Sequence, residues 1–206
     1  MEWYYKTYHR RLLENFLKKY TSKMQGKILD VGSKNRRYDN LLPGSIITAI
    51  DIIPNPEKNV LAGNIEERLP FNDESFDGAL CIEVLEYVKN YSNALHELQR
   101  ILSSNGKALI SVPFVYHAHD DKLRYTKEFL REELSQLFSK VEIITFGNSW
   151  VIIGDILRKK VLSIRFRLIK YLCFIFILPY LGCIKLLHLD KKEDQYYSGM
   201  VCFVTK

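Results

Sequence analysis

The segment from Lys27 to Asp51 constrains this chain most. Lys27-Ile28-Leu29-Asp30-Val31-Gly32-Ser33 is an apolar run that stops at an acidic residue and a glycine. Ser45-Ile46-Ile47-Thr48-Ala49-Ile50-Asp51 is a second apolar run, and it stops at a carboxylate. A separation of about twenty residues between the glycine and that carboxylate is the spacing of a βαβ nucleotide-binding unit. The glycine lets the backbone approach a ligand, a helix after it offers free N–H groups, and the second carboxylate accepts both hydroxyls of a ribose. Asp51 is therefore the first candidate binding residue.

The rest of the chain continues the alternation. Apolar runs at 60–62, 76–82, 107–113, 141–146 and 199–204 read as strands, and 91–102 and the stretch capped by Thr126 read as helices. Near-continuous apolar strands separated by helical patterns predict a parallel sheet covered on both faces. Residues 4–20 form an amphipathic leading helix, with a short helix expected at 35–42.

The net charge of +6 is concentrated in that leading helix and in Arg158, Lys159, Lys160, Arg165, Arg167 and Lys170. The second cluster flanks the uncharged run 171–184, which suits an anionic membrane surface better than a nucleic acid. No RNP-like or helix-turn-helix pattern is present, so no nucleic-acid partner is expected. The run is short for a bilayer span and Pro179 interrupts it. Two readings stay open for 158–187: a cover over a pocket or homodimer interface, and a membrane-surface anchor. The four cysteines lie in apolar contexts without a CxxC, which predicts buried reduced thiols. The opening Met1-Glu2-Trp3-Tyr4-Tyr5 lacks a signal-peptide pattern, so the expected location is cytoplasmic, with membrane association under the anchor reading.

Leu29-Asp30-Val31-Gly32, Asp51, Gly63-Asn64-Ile65-Glu66, Leu69-Pro70-Phe71, Ser75-Phe76-Asp77, Glu83-Val84-Leu85-Glu86-Tyr87-Val88, Glu97 to Leu102 and Gly106 to Pro113 follow in unbroken order. In that order they resemble the class I S-adenosylmethionine-dependent methyltransferases, in the type 11-like branch that modifies small molecules and sugars. The resemblance implies an α/β, Rossmann-like, seven-stranded, mostly parallel sheet with helices on both faces and the last strand antiparallel. It implies a helical cover at 1–24, a cofactor-binding core at 25–150, an apolar-basic helical insertion at 151–194 and the final strand at 195–206. It also implies S-adenosylmethionine as cofactor, bound by Asp30, Gly32, Asp51, Ile52, Asn64, Ile65 and Glu83. One departure is that the family's second and third glycines are replaced by Ser33-Lys34-Asn35-Arg36-Arg37, which leaves Lys34 or Arg36 to pair with the cofactor carboxylate.

The expected reaction is O-methylation of a small molecule, a sugar or lipid-linked saccharide. The other class of reading is a cofactor-poor binding or scaffold subunit, or a membrane-surface adaptor. The polar stretch after the fifth strand supplies candidates: His117, His119 and Asp120 as catalytic groups, and Tyr116, Asp121, Arg124 and Tyr125 as acceptor-binding groups. A metal held by His117, His119 and Asp120 is not expected, since adjacent residues rarely converge on an ion without a ligand from elsewhere. His9 and His188 have no companions in the sequence, so core or solvent placement is expected for both.

Overall fold

The computed structural model describes residues 6–117, 120–187, 189 and 195–206. Seven strands form one sheet in the order β3-β2-β1-β4-β5-β7-β6. They are β1 (Lys27–Val31), β2 (Ile46–Asp51), β3 (Val60–Ala62), β4 (Phe76–Ile82), β5 (Leu102–Pro113), β6 (Lys140–Phe146) and β7 (Gly199–Thr205). The first five run parallel, and β7 is antiparallel to both β5 and β6. This is the α/β Rossmann-like sheet expected from the sequence.

The pleat sorts alternate residues into two cores. Leu29, Ala79 and Cys81 join the core under α2 (Tyr91–Ile101) and α3 (Lys127–Leu137). Ile28, Leu80 and Leu109 face the other way, onto Leu13, Leu17 and Tyr20 of α1 (Tyr8–Thr21). Thr126 caps α3 by accepting from the Phe129 amide at 3.2 Å.

The β1–β2 connection differs from the expectation. It holds a 3₁₀ turn at Asp39–Leu41 in place of a helix at 35–42, so no α-helix N-terminus stands beside Gly32. Lys34 and Arg36 take left-handed backbone (φ 36° and 51°), which breaks any helical start.

After β6 the chain leaves the sheet as α4 (Ser149–Leu162) and α5 (Arg167–Leu186), and it returns at β7. Phe146 pairs with Gly199 across that excursion, so α4 and α5 are an enlarged β6–β7 hairpin loop. Phe174, Ile177 and Ile184 of α5 pack with Tyr8, Val151 and Val161 in a third, smaller core. The helix continues through Pro179, contrary to the interruption read from the sequence. One missing N–H bends or weakens a helix without having to end it. By length and composition, Arg167–Ile184 is apolar enough to cross a membrane. Cys81 and Cys202 are buried, whereas Cys183 is exposed because it lies on the outer side of α5.

Candidate active site

The carboxyl ends of β1, β2 and β4 meet at one edge of the sheet, where parallel α/β folds bind ligands. Gly32 ends β1 with φ +67°, and a Cβ added there would run into the Val84 side chain. Glycine is therefore required by both backbone and space. Asp30 is 1% exposed, and its Oδ2 has no hydrogen-bond partner among the described residues. Burial, opposed by the nearby Ser33 hydroxyl, pushes its carboxyl up to about 6.

Asp51 closes β2. Its two oxygens accept from the Lys34 amide (3.1 Å) and the Ile53 amide (2.9 Å). A carboxylate has about four lone-pair sites, so this geometry leaves acceptor capacity for a diol. Ile52 beside it is 74% exposed, an apolar side chain open to a planar ring. An acidic diol acceptor, an open apolar shelf, a glycine with no room for a side chain and a buried carboxylate with a free oxygen fit an adenosyl ligand with a cationic amino acid end. The residues of this edge are thus suited to S-adenosylmethionine.

Other expectations at this edge are modified. Ile65 is 4% exposed and belongs to the main core, so the accessible apolar surface is that of Ile52. Asn64 folds on itself: its Oδ1 accepts from the Glu66 amide at 3.1 Å and its Nδ2 donates to Glu67 Oε1 at 3.0 Å. The amide oxygen keeps one lone pair for an adenine amino group. Arg36 is not free for a cofactor carboxylate. It pairs with Asp39 at 2.7 Å and donates to the Asn59 and Ile47 carbonyls, fastening the loop to β2.

At the end of β4 the structure joins Glu83, expected at the cofactor, to His9, for which the sequence showed no companion. Glu83 has φ 57°, and its amide donates to Ser111 O (3.0 Å) and Oγ (3.1 Å). Ser111 Oγ in turn donates to Glu83 Oε1 at 3.0 Å. The other carboxylate oxygen faces His9 Nε2 at 3.3 Å. His9 is 2% exposed, between Tyr116 (ring centroids 4.4 Å) and Phe146 (5.0 Å). Its Nδ1 has no hydrogen-bond partner among the described residues. Asp155 of α4 holds the histidine in place by accepting from the backbone amides of Tyr8 (2.8 Å) and His9 (2.9 Å). These are orphan donors of the first turn of α1, where a carboxylate is favoured. One sequence signal pointed this way: His9 continues the buried Leu13, Leu17, Tyr20 stripe one turn earlier.

The residues after β5 mostly brace their own loop. Arg124 donates to Asp121 (2.6 Å) and to the carbonyls of Phe114 (3.1 Å) and His117 (3.3 Å). Tyr125 is buried, and its hydroxyl donates to Leu85 O at 2.9 Å. The Lys122 and Leu123 amides donate to Glu86 O. Asp121, Arg124 and Tyr125 are thus engaged as struts, in place of the open acceptor contacts expected of them. Asp120 is exposed in left-handed backbone, and His117 is exposed with its ring against Tyr116. His119 lies outside the described residues, as does His188.

Glu86 sits beneath this loop with no solvent exposure, and burial followed by the charge of Glu83 pushes its carboxyl up to about 8. The folded state therefore holds a proton that the unfolded chain releases near pH 4.5, and stability falls as pH rises from there through about 8. We expect the melting temperature to drop between pH 6.5 and 9, and Glu86→Gln to flatten that drop by about 2 kcal/mol. Thermal melts across this range check it. Equal slopes for the two proteins would refute the assignment.

Two cavities flank the cluster. One, about 670 Å³, lies between α4 and the β5 exit and includes Ile152, Ile156, Leu162, Lys160 and His117 in its lining. The other, about 740 Å³, is lined by Lys6, Arg10, Lys18, Arg37, Tyr38 and Glu14. Thr7 and Tyr116 line both, so Tyr116 separates two reservoirs and also covers His9.

The seven-stranded sheet matches the Rossmann-like methyltransferase fold. Residues 29–110 match the family model described as a methyltransferase domain. A curated relative, an uncharacterized protein of Methanocaldococcus jannaschii, is 37% identical over 103 residues. That match takes in 47% of this chain and 44% of the relative, so the chain spans less than half the length of that protein. A S-adenosylmethionine-dependent methyltransferase from Archaeoglobus fulgidus superposes with a TM-score of 0.60 at 15% identity, over 94% of this chain and 91% of that one. The [4+2]-cyclase SpnF gives 0.60 at 17%, over 94% and 80%. Phosphoethanolamine N-methyltransferase 2 of Haemonchus contortus gives 0.58 at 16%, over 93% and 52%. These neighbours share the fold, and their names differ in chemistry.

Proposed function

We propose that this protein is an S-adenosylmethionine-dependent methyltransferase that methylates a hydroxyl of a small molecule, a sugar or lipid-linked saccharide. The observation that carries the reading is the convergence of Asp51, Ile52, Asp30 and Gly32 at one sheet edge with the His9–Glu83 pair beyond them. When bound, the cofactor supplies a methyl group on a sulfonium. Asp51 would hold the ribose hydroxyls, Ile52 would cover the adenine and Asp30 would meet the amino acid end.

Methylation of a hydroxyl by that group would require the hydroxyl proton to be taken up. His9 is the acceptor for that proton. Glu83 accepts from Nε2 and fixes the tautomer, leaving Nδ1 as the base. The Tyr116 ring must shift to admit the acceptor from either cavity. His117, exposed at the mouth of the smaller cavity, is the alternative base expected from the sequence.

Calorimetric titration with S-adenosylhomocysteine tests the cofactor half. We expect micromolar binding that Asp51→Ala weakens at least about tenfold, the loss of a charge-assisted hydrogen-bond pair. No binding at millimolar ligand would overturn the assignment and favour the scaffold reading.

A further inference from the structure

Helix α5 presents its apolar residues outward. Leu168, Leu172, Ile175, Phe176 and Leu186 fall on one face of the helix and are 74%, 50%, 61%, 78% and 78% exposed. The opposite stripe, Phe174, Ile177 and Ile184, packs on the domain. Helix α4 adds Trp150, Ile153 and Leu157 to the exposed apolar surface. A helix that is apolar all round belongs inside a protein or against lipid, and Arg167–Ile184 is only 19% buried.

Among the described residues of 156–187 the charges are of one sign. Residues 156–187 contain no aspartate or glutamate. Lys159, Lys160, Arg165 and Arg167 are exposed at the α4–α5 junction, while Arg158 turns inward at 5% exposure. Exposed apolar residues beside a purely basic rim match a surface that is apolar within and anionic at its boundary. A second copy of this chain would supply no such boundary: the same basic rim on a symmetric partner would repel.

We propose that the outer face of α4 and α5 docks on an anionic lipid bilayer, with α5 lying in the plane of the headgroups. The in-plane orientation follows from the connections. Both ends of the excursion return to one sheet, where Phe146 pairs with Gly199, and the inner stripe stays packed from Phe174 to Ile184. A crossing would have to strip that stripe from the domain. The proposal does not depend on methyl transfer, and its test does not read activity.

The test is flotation of the whole chain with vesicles of phosphatidylcholine alone or mixed with phosphatidylglycerol, at low and high salt. The expected result is flotation with the mixed vesicles, reduced about tenfold by high salt, by omission of the anionic lipid or by Lys159→Glu with Lys160→Glu. Ile175→Asp with Phe176→Asp abolishes it. All four substituted side chains are exposed, so unchanged melting curves should accompany these losses. Failure of the wild-type chain to float with anionic vesicles would overturn the proposal. So would a dimer in solution that Phe176→Asp dissolves without any flotation, which assigns the face to a second copy. Resistance of the vesicle-bound chain to alkaline carbonate extraction would overturn the in-plane orientation in favour of a span.

Discussion

Replacing His9 by asparagine should lower kcat for the methylated acceptor by about 10²–10⁴-fold, the usual contribution of a positioned general base. Calorimetric affinity for S-adenosylhomocysteine should be unchanged, because His9 lies beyond the cofactor edge. Glu83→Gln should cost less, since it leaves the imidazole in place and removes the carboxylate that fixes its tautomer. The double variant should be little worse than His9→Asn alone, as residues acting as one unit are strongly non-additive. A packing role would change kcat without changing its pH dependence, so the pH–rate profile separates the two: the base limb should vanish in His9→Asn. His117→Ala is the control. A full loss there with normal rates in His9→Asn would transfer the base to the exposed histidine.

Arg100→Leu should destabilise the fold by about 2 kcal/mol, below the scale for a fully buried ion pair because Arg100 is only partly buried. Glu97 of α2 is 8% exposed and spends its Oε1 on the Leu69 amide at 2.7 Å. Arg100 grips both oxygens of Glu97, at 2.8 and 2.6 Å, and donates to the Phe71 and Leu69 carbonyls. Without it a carboxylate is left buried and the β3–β4 loop loses its clasp. Glu97→Gln with Arg100→Leu should recover part of the loss, because the stranded charge is gone. Denaturant melts of the three proteins measure it. A loss under about 0.5 kcal/mol would mean that the pair is worth no more than an exposed one.

What the sequence made legible was local. Asp30, Gly32 and Asp51 each end an apolar run, and the strand that carries each fixes where it points. Glu97 and Arg100 stood within a motif, though neither their pairing nor their grip on the β3–β4 loop was legible. The left-handed Lys34 and Arg36 were illegible because only glycine announces such backbone in advance. His9 was passed over because its partner is Glu83, far along the chain and on another element. The loop after β5 was over-read: a run of polar residues looks like chemistry until Arg124 is seen to spend its donors on its own loop.

Asp155 gives the two-helix excursion a second consequence. Because β6 and β7 pair up to its base, a short turn in place of 149–196 would leave the β6–β7 ladder from Phe146 and Gly199 onward in place. Yet the same carboxylate holds the first turn of α1, and with it His9. The excursion is therefore tied less to the sheet ladder than to the start of α1, where Tyr8 packs on its core and Asp155 holds the His9 amide. A chain shortened there would stay folded and lose its chemistry first.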